Sequence, residues 1–240
     1  MLTLTQIVAL ANTWGGSGGL DNDSSVDFSS MTAAAVVPVN WAIRTISKQI
    51  KQLDPKIALT LTADLDTYAL RGGAFSRKVI RPYRVYINGV GLLSASREGF
   101  GIWTLSELDR IRRMWRTDSS DVPTAACHYG ESLVLHPKPT AAVVAQSNHF
   151  VCGTYMAADM AYTSPSANPD LPEELHEAVA YLAVVRSTLP NVTEAEAWQR
   201  LNAFNAEWKE AAAEIRKEHE RTLAAWGTTS GSHFREEIWT

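Results

Sequence analysis

Cysteine is scarce in this sequence, with only Cys127 and Cys152 among 240 residues. A chain of this length can bury a hydrophobic core without disulfides, so two cysteines do not indicate a small secreted domain held by cross-links. The first residues also lack the basic flank and apolar core of a secretory signal. We therefore expect a protein made in a reducing cytoplasm.

Positive charge and long apolar runs are also lacking. The formal net charge is −4, whereas a protein dedicated to binding duplex DNA carries enough cations to neutralise many phosphates. The longest nearly uncharged stretch, 139–158, has Gln146, Asn148 and His149 at its middle, and these would be costly to bury in lipid. We expect neither a dedicated DNA-binding protein nor a membrane span.

The common catalytic patterns are missing. The sequence has no Gly-x-Ser-x-Gly elbow and no His-Glu-x-x-His helix. The glycine-rich run at 15–19 follows no strand and precedes no Gly-Lys-Ser or Gly-Lys-Thr, so it predicts a flexible turn rather than a phosphate-binding loop. His176 and His219 lie beside glutamates on helices, where a single histidine is usually solvated or packed. We expect no enzyme and no cofactor.

One group of residues has the side chains that zinc prefers: Cys127, His128, His149 and Cys152. Both pairs fall in segments with β-type sequences. In a strand, adjacent residues and residues three apart point to opposite faces, so each pair offers one ligand to a given side. Two ligands do not make a structural zinc site, and no metal is expected.

The ends of the chain have helical patterns that predict a helical body of residues 1–54 and 161–226. Leu4, Ile7, Val8 and Leu10 indicate a short first helix that ends near Trp14 and the glycine run. A second helix is predicted over 31–53, with Pro38 in its first turns or marking its start. A third begins after Pro172 and ends near Pro190, with Leu175, Val179, Leu182 and Val185 on one face.

A long fourth helix is predicted from the capping-box pair Thr193 and Glu196 to about Trp226. Its apolar positions recur every three or four residues and predict a seam, either in the core or between subunits, made by Leu201, Phe204, Trp208, Ala211 and Ile215.

Between these helices, residues 55–160 predict a β-rich insert with one short helix. Strands are expected at 67–70, 79–88, 132–136 and 141–156. The helix follows Ser106 as its cap, and Arg110, Arg113 and Arg116 line one face of it, towards solvent or a partner. The insert has 12 Lys and Arg against 9 Asp and Glu, whereas residues 161–240 have 7 against 13. This contrast predicts surfaces that meet different neighbours.

The last segment, 227–240, predicts an extended C-terminal tail. It begins with glycine, threonine and serine but contains three large apolar residues, Phe234, Ile238 and Trp239. Such side chains are typical of segments that a partner buries through a few aromatic anchors. The alternative is a tail that folds back on its own domain. The sequence as a whole predicts an α+β fold, a helical bundle with a β-rich sheet or small-barrel insert and this tail.

The stretch 123–172 resembles a known family. It has a proline closing a short loop, a turn at Tyr129 and Gly130, a strand that ends in Pro137-Lys138-Pro139, a further strand, and Asn168-Pro169-Asp170-Leu171-Pro172 before a helix. This order is similar to that of phage neck adaptors, the head-to-tail connectors related to the tail-tubular adaptor of short-tailed phages. Residues 105–115 and the two N-terminal helices fit the same plan.

The resemblance implies a structural protein of the virion, made in the host bacterial cytoplasm. It implies a ring of twelve copies below the phage portal protein that offers a platform to the next tail or nozzle protein, with genomic DNA passing through the lumen. We expect the three large apolar residues of the C-terminal segment 227–240 to bind the portal protein. We expect the three arginines of the insert to face the phage tail. A tail-completion or nozzle-type protein remains an alternative, as do a soluble ligand-binding β-domain and a small hydrolase that uses His176 or His128.

Overall fold

The structure is a computed structural model that describes residues 1–16, 26–88, 100–111 and 119–225. These residues form seven α-helices and a curled seven-stranded sheet, so the fold is mixed α/β. The chain divides into two compact units. The helical unit contains Met1–Gln52 and Met156–Glu220, and the sheet unit contains Leu53–Tyr155 and the described residues from Arg221.

In chain order, the elements are α1 (Leu4–Gly16), α2 (Ala33–Ile50), β1 (Leu53–Ala58), β2 (Thr67–Ala69), β3 (Lys78–Tyr86), β4 (Phe100–Trp103), α3 (Leu105–Ile111), β5 (Ala125–Tyr129), β6 (Ser132–His136), α4 (Ala141–Val144), β7 (Phe150–Met156), a 3-10 turn (Glu173–Leu175), α5 (His176–Thr188), α6 (Glu194–Phe204) and α7 (Ala206–Ala225).

Helix α5 is the centre of the helical unit, where α1, α2 and α6 pack against it. Every residue from Ala178 to Val185 is buried, although the sequence pattern predicted only one apolar face. Ala178, Ala180 and Ala183 on the remaining faces are small enough for neighbouring helices to approach closely. A helix that is apolar all round is a core helix, and α5 is one.

Helix α2 begins at Ala33, because the Thr32 side-chain oxygen accepts a hydrogen bond from the Ala35 N–H at 3.2 Å. Of the two alternatives for Pro38, a position in the first turns is confirmed and the start of the helix is not, since Pro38 is the sixth residue of α2. The helix also ends before the predicted residue 53. Lys51 adopts the left-handed conformation with φ 51°, and the chain then enters β1.

The predicted single helix from Thr193 to Trp226 is wrong, because Asn205 divides it into α6 and α7. Asn205 is extended at φ −141° and ψ 113°, and its side-chain oxygen accepts from the Glu207 N–H at 2.9 Å. An asparagine that binds a nearby backbone N–H offers the chain an alternative to continued helix. The predicted capping box is confirmed: Thr193 and Glu196 each accept a hydrogen bond from the other's backbone N–H.

The sheet has the order β1-β7-β3-β4-β5-β6-β2. Its ladders with a described register are antiparallel, except the parallel pair β4 and β5, which α3 connects. The cap of α3 differs from the prediction. Thr104 rather than Ser106 accepts from the Glu107 N–H, and the Glu107 carboxylate accepts from the Thr104 N–H at 2.8 Å.

The sheet curls because its β2 end is also linked to β3, beyond the regular ladders. Leu70, which follows β2, accepts a hydrogen bond from the Val79 N–H of β3 at 2.9 Å. Strands β7 and β3 approach closely at Gly153, where an added Cβ would lie 2.7 Å from the Arg81 carbonyl oxygen. The core inside the curl contains Ile57, Tyr68, Val85, Leu133, Leu135 and Val151.

The predicted strand over 141–156 is wrong in its first half. Residues Ala141–Val144 form the short helix α4, since the Thr140 side chain accepts from the Val143 N–H. Only Phe150–Met156 pairs as a strand. The strand at 132–136 is confirmed as β6, and Gly130 at φ 58° begins the two-residue turn that joins it to β5.

Candidate assembly surfaces

The residues predicted to bind portal lie outside the described residues. They are Phe234, Ile238 and Trp239 of the segment 227–240. Arg113 and Arg116 of the insert also lie outside them. Arg110 is described, and its exposed side chain lies in the last turn of α3 in the sheet unit.

Two residues of the predicted seam, Phe204 and Trp208, belong to an aromatic cluster with Trp14 of α1 and Tyr181 of α5. Leu201 is fully buried and Trp208 is 5% exposed, whereas Phe204 is 53% exposed and Ile215 is half-buried. The Trp208 ring lies 5.9 Å from the Tyr181 ring and 6.3 Å from the Trp14 ring. The seam therefore contains both core residues and a surface residue.

Phe204 is the exposed edge of this aromatic cluster. Its ring stacks on that of Tyr181, with centroids 4.3 Å apart and planes 25° apart. Burial raises the pKa of Tyr181, and the charge of Arg200 partly offsets that rise. Arg200 is exposed and lies four residues before Phe204, on the same face of α6. An aromatic ring held rigidly at the surface beside a cation is typical of a protein-binding anchor.

A groove of about 550 Å³ lies beside Arg200. One wall is the connection between α5 and α6, residues 189–192, which is apolar apart from Asn191. The other wall is the face of α6 that carries Glu196, Gln199 and Arg200. Leu189 at the groove is 39% exposed. The outer side of α6 thus combines apolar contacts with both signs of charge.

The outward face of α2 is a second exposed surface of the helical unit. Its positions recur at helical spacing and are exposed or half-buried: Ala33, Ala34, Val37, Trp41, Arg44 and Lys48. Val37 is 67% exposed, and the Arg186 guanidinium lies 5.1 Å from the centre of the Trp41 ring. The first half of this face is apolar and the second half is cationic.

The zinc-type residues do not form a common site. Cys127 is fully buried in a small cluster with Leu108, Ala125 and Val134, and Cys152 donates from its thiol to the Pro55 carbonyl at 2.9 Å. Burial raises the pKa of Cys152 to about 11, which disfavours the thiolate that a metal requires. No group of three or more His, Cys, Asp or Glu side chains that could hold a metal ion occurs within the described residues.

The proposed catalytic histidine, His176, is fully buried and uses both ring nitrogens. Its Nδ1 accepts from the Leu2 N–H at 3.0 Å, and its Nε2 lies 3.0 Å from the Leu171 carbonyl oxygen. His149 has the same arrangement, between the Asn88 N–H at 3.0 Å and the Val143 carbonyl oxygen at 3.1 Å. Both rings join distant backbone segments, which is a structural role.

The sequence interpretation missed Val37 and Trp14 as residues of these surfaces. A usable signal existed for Trp14, which continues the buried spacing of Leu4, Ile7 and Ala11 along α1. Val37 gave none, because a valine in an apolar helix predicts burial.

A family model described as SU10 adaptor protein matches residues 2–231 of the chain. The matched span includes both compact units. A search of curated proteins gave no match. Within the described residues, no helix is both long enough and apolar enough to cross a membrane.

Proposed function

The chain belongs to the SU10 adaptor protein family, and we propose that it forms a ring between the portal and the tail of a tailed phage, through which the DNA passes. The family makes it a structural phage protein that associates with other head or tail proteins of the virion. The observation that carries the proposal is the match over residues 2–231, because it covers the whole plan rather than one motif.

A ring adaptor needs two dissimilar side surfaces that meet between neighbouring copies, together with an upper and a lower face. The outer side of α6 and the outward face of α2 supply two surfaces of different chemistry. For the lower face we propose the sheet unit with Arg110, Arg113 and Arg116. DNA in the lumen would pass without sequence-specific binding, and the net charge of −4 is unlike that of a protein that neutralises many phosphates.

For the upper face we propose that the C-terminal segment binds the portal. Phe234, Ile238 and Trp239 are large apolar residues within fourteen otherwise mainly polar positions, 227–240. Each side chain contributes roughly 1.5 to 3 kcal/mol when it is fully buried, before the cost of ordering the segment is subtracted. Repetition around a symmetric ring would turn a small surplus per copy into a stable junction through avidity.

Deletion of residues 228–240 tests this arrangement. The shortened protein should keep its far-UV circular dichroism and its melting temperature but lose attachment to heads that carry portal. Replacement of Phe234, Ile238 and Trp239 by alanine should have the same effect. A matched control, Thr228→Ala with Thr229→Ala and Ser232→Ala, should still attach.

Two results would contradict the proposal in different ways. If the shortened protein unfolds, the segment belongs to its own core. If it attaches to heads as the full chain does, the portal contact lies elsewhere. Attachment to tails rather than to portal-bearing heads would favour the tail-completion or nozzle-type alternative.

A further inference from the structure

We propose that neighbouring copies meet through Phe204, the last residue of α6, and the α7 helix that follows it in one copy, which together contact the outward face of α2 of the next copy. This inference rests on the proposed ring and names the surfaces that close it. It begins from Phe204, whose 53% exposed ring is held by stacking on Tyr181. An exposed aromatic side chain with a fixed orientation loses little conformational entropy when a partner covers it.

Helix α7 begins at Ala206, beyond the extended Asn205, and carries three exposed carboxylates, Glu207, Glu210 and Glu214. None of the three has an ion pair with the rest of the described chain. Glu210 and Glu214 are four residues apart, and like charges at that spacing destabilise a helix. Cations from a partner would remove this repulsion.

The outward face of α2 has the complementary features in the same order. Val37, 67% exposed and flanked by Ala33 and Ala34, offers a low apolar surface on which a phenyl ring can lie. Arg44 and Lys48 follow on the same face. Each has one internal ion pair, at 2.8 Å with Asp159 and at 2.6 Å with Glu194, and both cations remain about two-fifths exposed.

These cations can therefore meet a second carboxylate. Arg44 binds Asp159 through Nε, which leaves the two terminal nitrogens of its guanidinium for another acceptor. The spacing also agrees, since Arg44 and Lys48, like Glu210 and Glu214, are separated by one helical turn of about 6 Å. On α2 the apolar anchor Val37 precedes Arg44 by seven residues, and in the other surface Phe204 ends α6 two residues before α7 begins.

The pairing is heterologous, because each copy offers α7 on one side and α2 on the other. Such contacts propagate from copy to copy and close into a ring when the rotation permits. A symmetric contact that placed Glu210 and Glu214 of two α7 helices opposite each other would bring like charges together and would be repulsive at those positions.

Charge reversal tests the pairing. One variant is Glu210→Lys with Glu214→Lys, and the other is Arg44→Glu with Lys48→Glu. Each alone should fail to assemble on purified portal, because α7 and α2 then have the same sign. An equal mixture should regain assembly, since each variant supplies the surface that the other lacks. A matched control, Glu174→Lys with Glu177→Lys at exposed positions before and in α5, should assemble as the wild type does.

Wild-type assembly by either reversed variant would overturn the proposal, as would failure of the mixture when both variants keep their native circular dichroism. A second measurement needs no portal. Copies with Val37→Cys are mixed with copies with Phe204→Cys and oxidised with copper phenanthroline, and adducts between the two kinds should exceed either homodimer. The native cysteines are buried and give the background.

The two measurements separate this inference from the ring itself. Chains that bind portal but give no mixed adduct would contradict only the interface between copies. Chains that give the mixed adduct but do not bind portal would contradict the proposed place in the virion.

Discussion

Replacement of Trp208 by alanine should separate the core part of the aromatic cluster from its surface part. Trp208 is 5% exposed, and three aromatic rings lie within about 6.3 Å of its own: those of Trp14, Tyr181 and Phe204. Loss of a buried tryptophan side chain costs roughly 3 to 5 kcal/mol, because contacts are lost and the cavity closes only in part. With a slope of about 2 to 3 kcal/mol per molar urea, the unfolding midpoint should fall by roughly 1 to 2.5 M.

The assay is urea unfolding followed by far-UV circular dichroism, which reports chiefly on the helices. The control is Phe204→Ala in the same cluster, where half the ring is already in water and the loss of stability should be much smaller. Phe204→Ala should instead weaken association between copies. A Trp208→Ala protein that unfolds at the wild-type midpoint would refute the assignment of Trp208 to the core.

Three further predictions concern individual groups. Burial lowers the pKa of His149 below its ordinary 6.5. As the pH falls, the unfolded chain therefore takes up the proton before the folded chain does. The contribution of His149 to the stability of the sheet unit should be complete above pH 6.5 and should be lost as the pH is lowered through the folded pKa. The Asn88 backbone N–H donates a hydrogen bond to His149 Nδ1, so amide hydrogen exchange at Asn88 measures this loss. Because burial raises the pKa of Cys152 to about 11, its thiol should resist iodoacetamide at pH 8 until the protein is unfolded, as mass spectrometry can show. Thr193→Ala removes one half of a capping box and should destabilise the helical unit by about 1 kcal/mol in a denaturation experiment.

The helices were predictable where side chains signal their own role. The capping box of Thr193 and Glu196 and the break in helical pattern before Pro190 are local features, and α6 and α5 begin and end where these features indicate. The division at Asn205 was not predictable in this way, since an apolar spacing of three and four continues across it. The direction of the chain changes there because one asparagine side chain binds the Glu207 N–H.

The strands were harder to predict, because their pairing depends on distant parts of the chain. The sequence indicated β6 from its short apolar run between turn residues, but β1 contains Pro55 and gave no strand signal. Proline is tolerated there because β1 is at the edge of the sheet, where one side of the strand needs no N–H donor. Residues 141–144 show the opposite error: a run of alanine and valine predicted a strand, and the Thr140 cap made it a helix.

The assembly surfaces were predictable only in part. The seam was visible as a pattern, but the pattern did not distinguish buried Trp208 from exposed Phe204. The exposure of each side chain depends on which helices pack around α5. Helical periodicity does not indicate which helices these are. The face of α2 was hidden for the same reason, since Val37 differs from its buried neighbours Val36 and Val39 only by its direction.

The most direct test of the adaptor function is electron cryomicroscopy of portal-bearing phage heads incubated with the purified full-length protein. A closed ring of copies attached beneath the portal, with an open lumen and with the helical and sheet units resolved in each copy, is the predicted result. Heads that remain bare at saturating protein, while the chain stays monomeric in solution, would contradict the account.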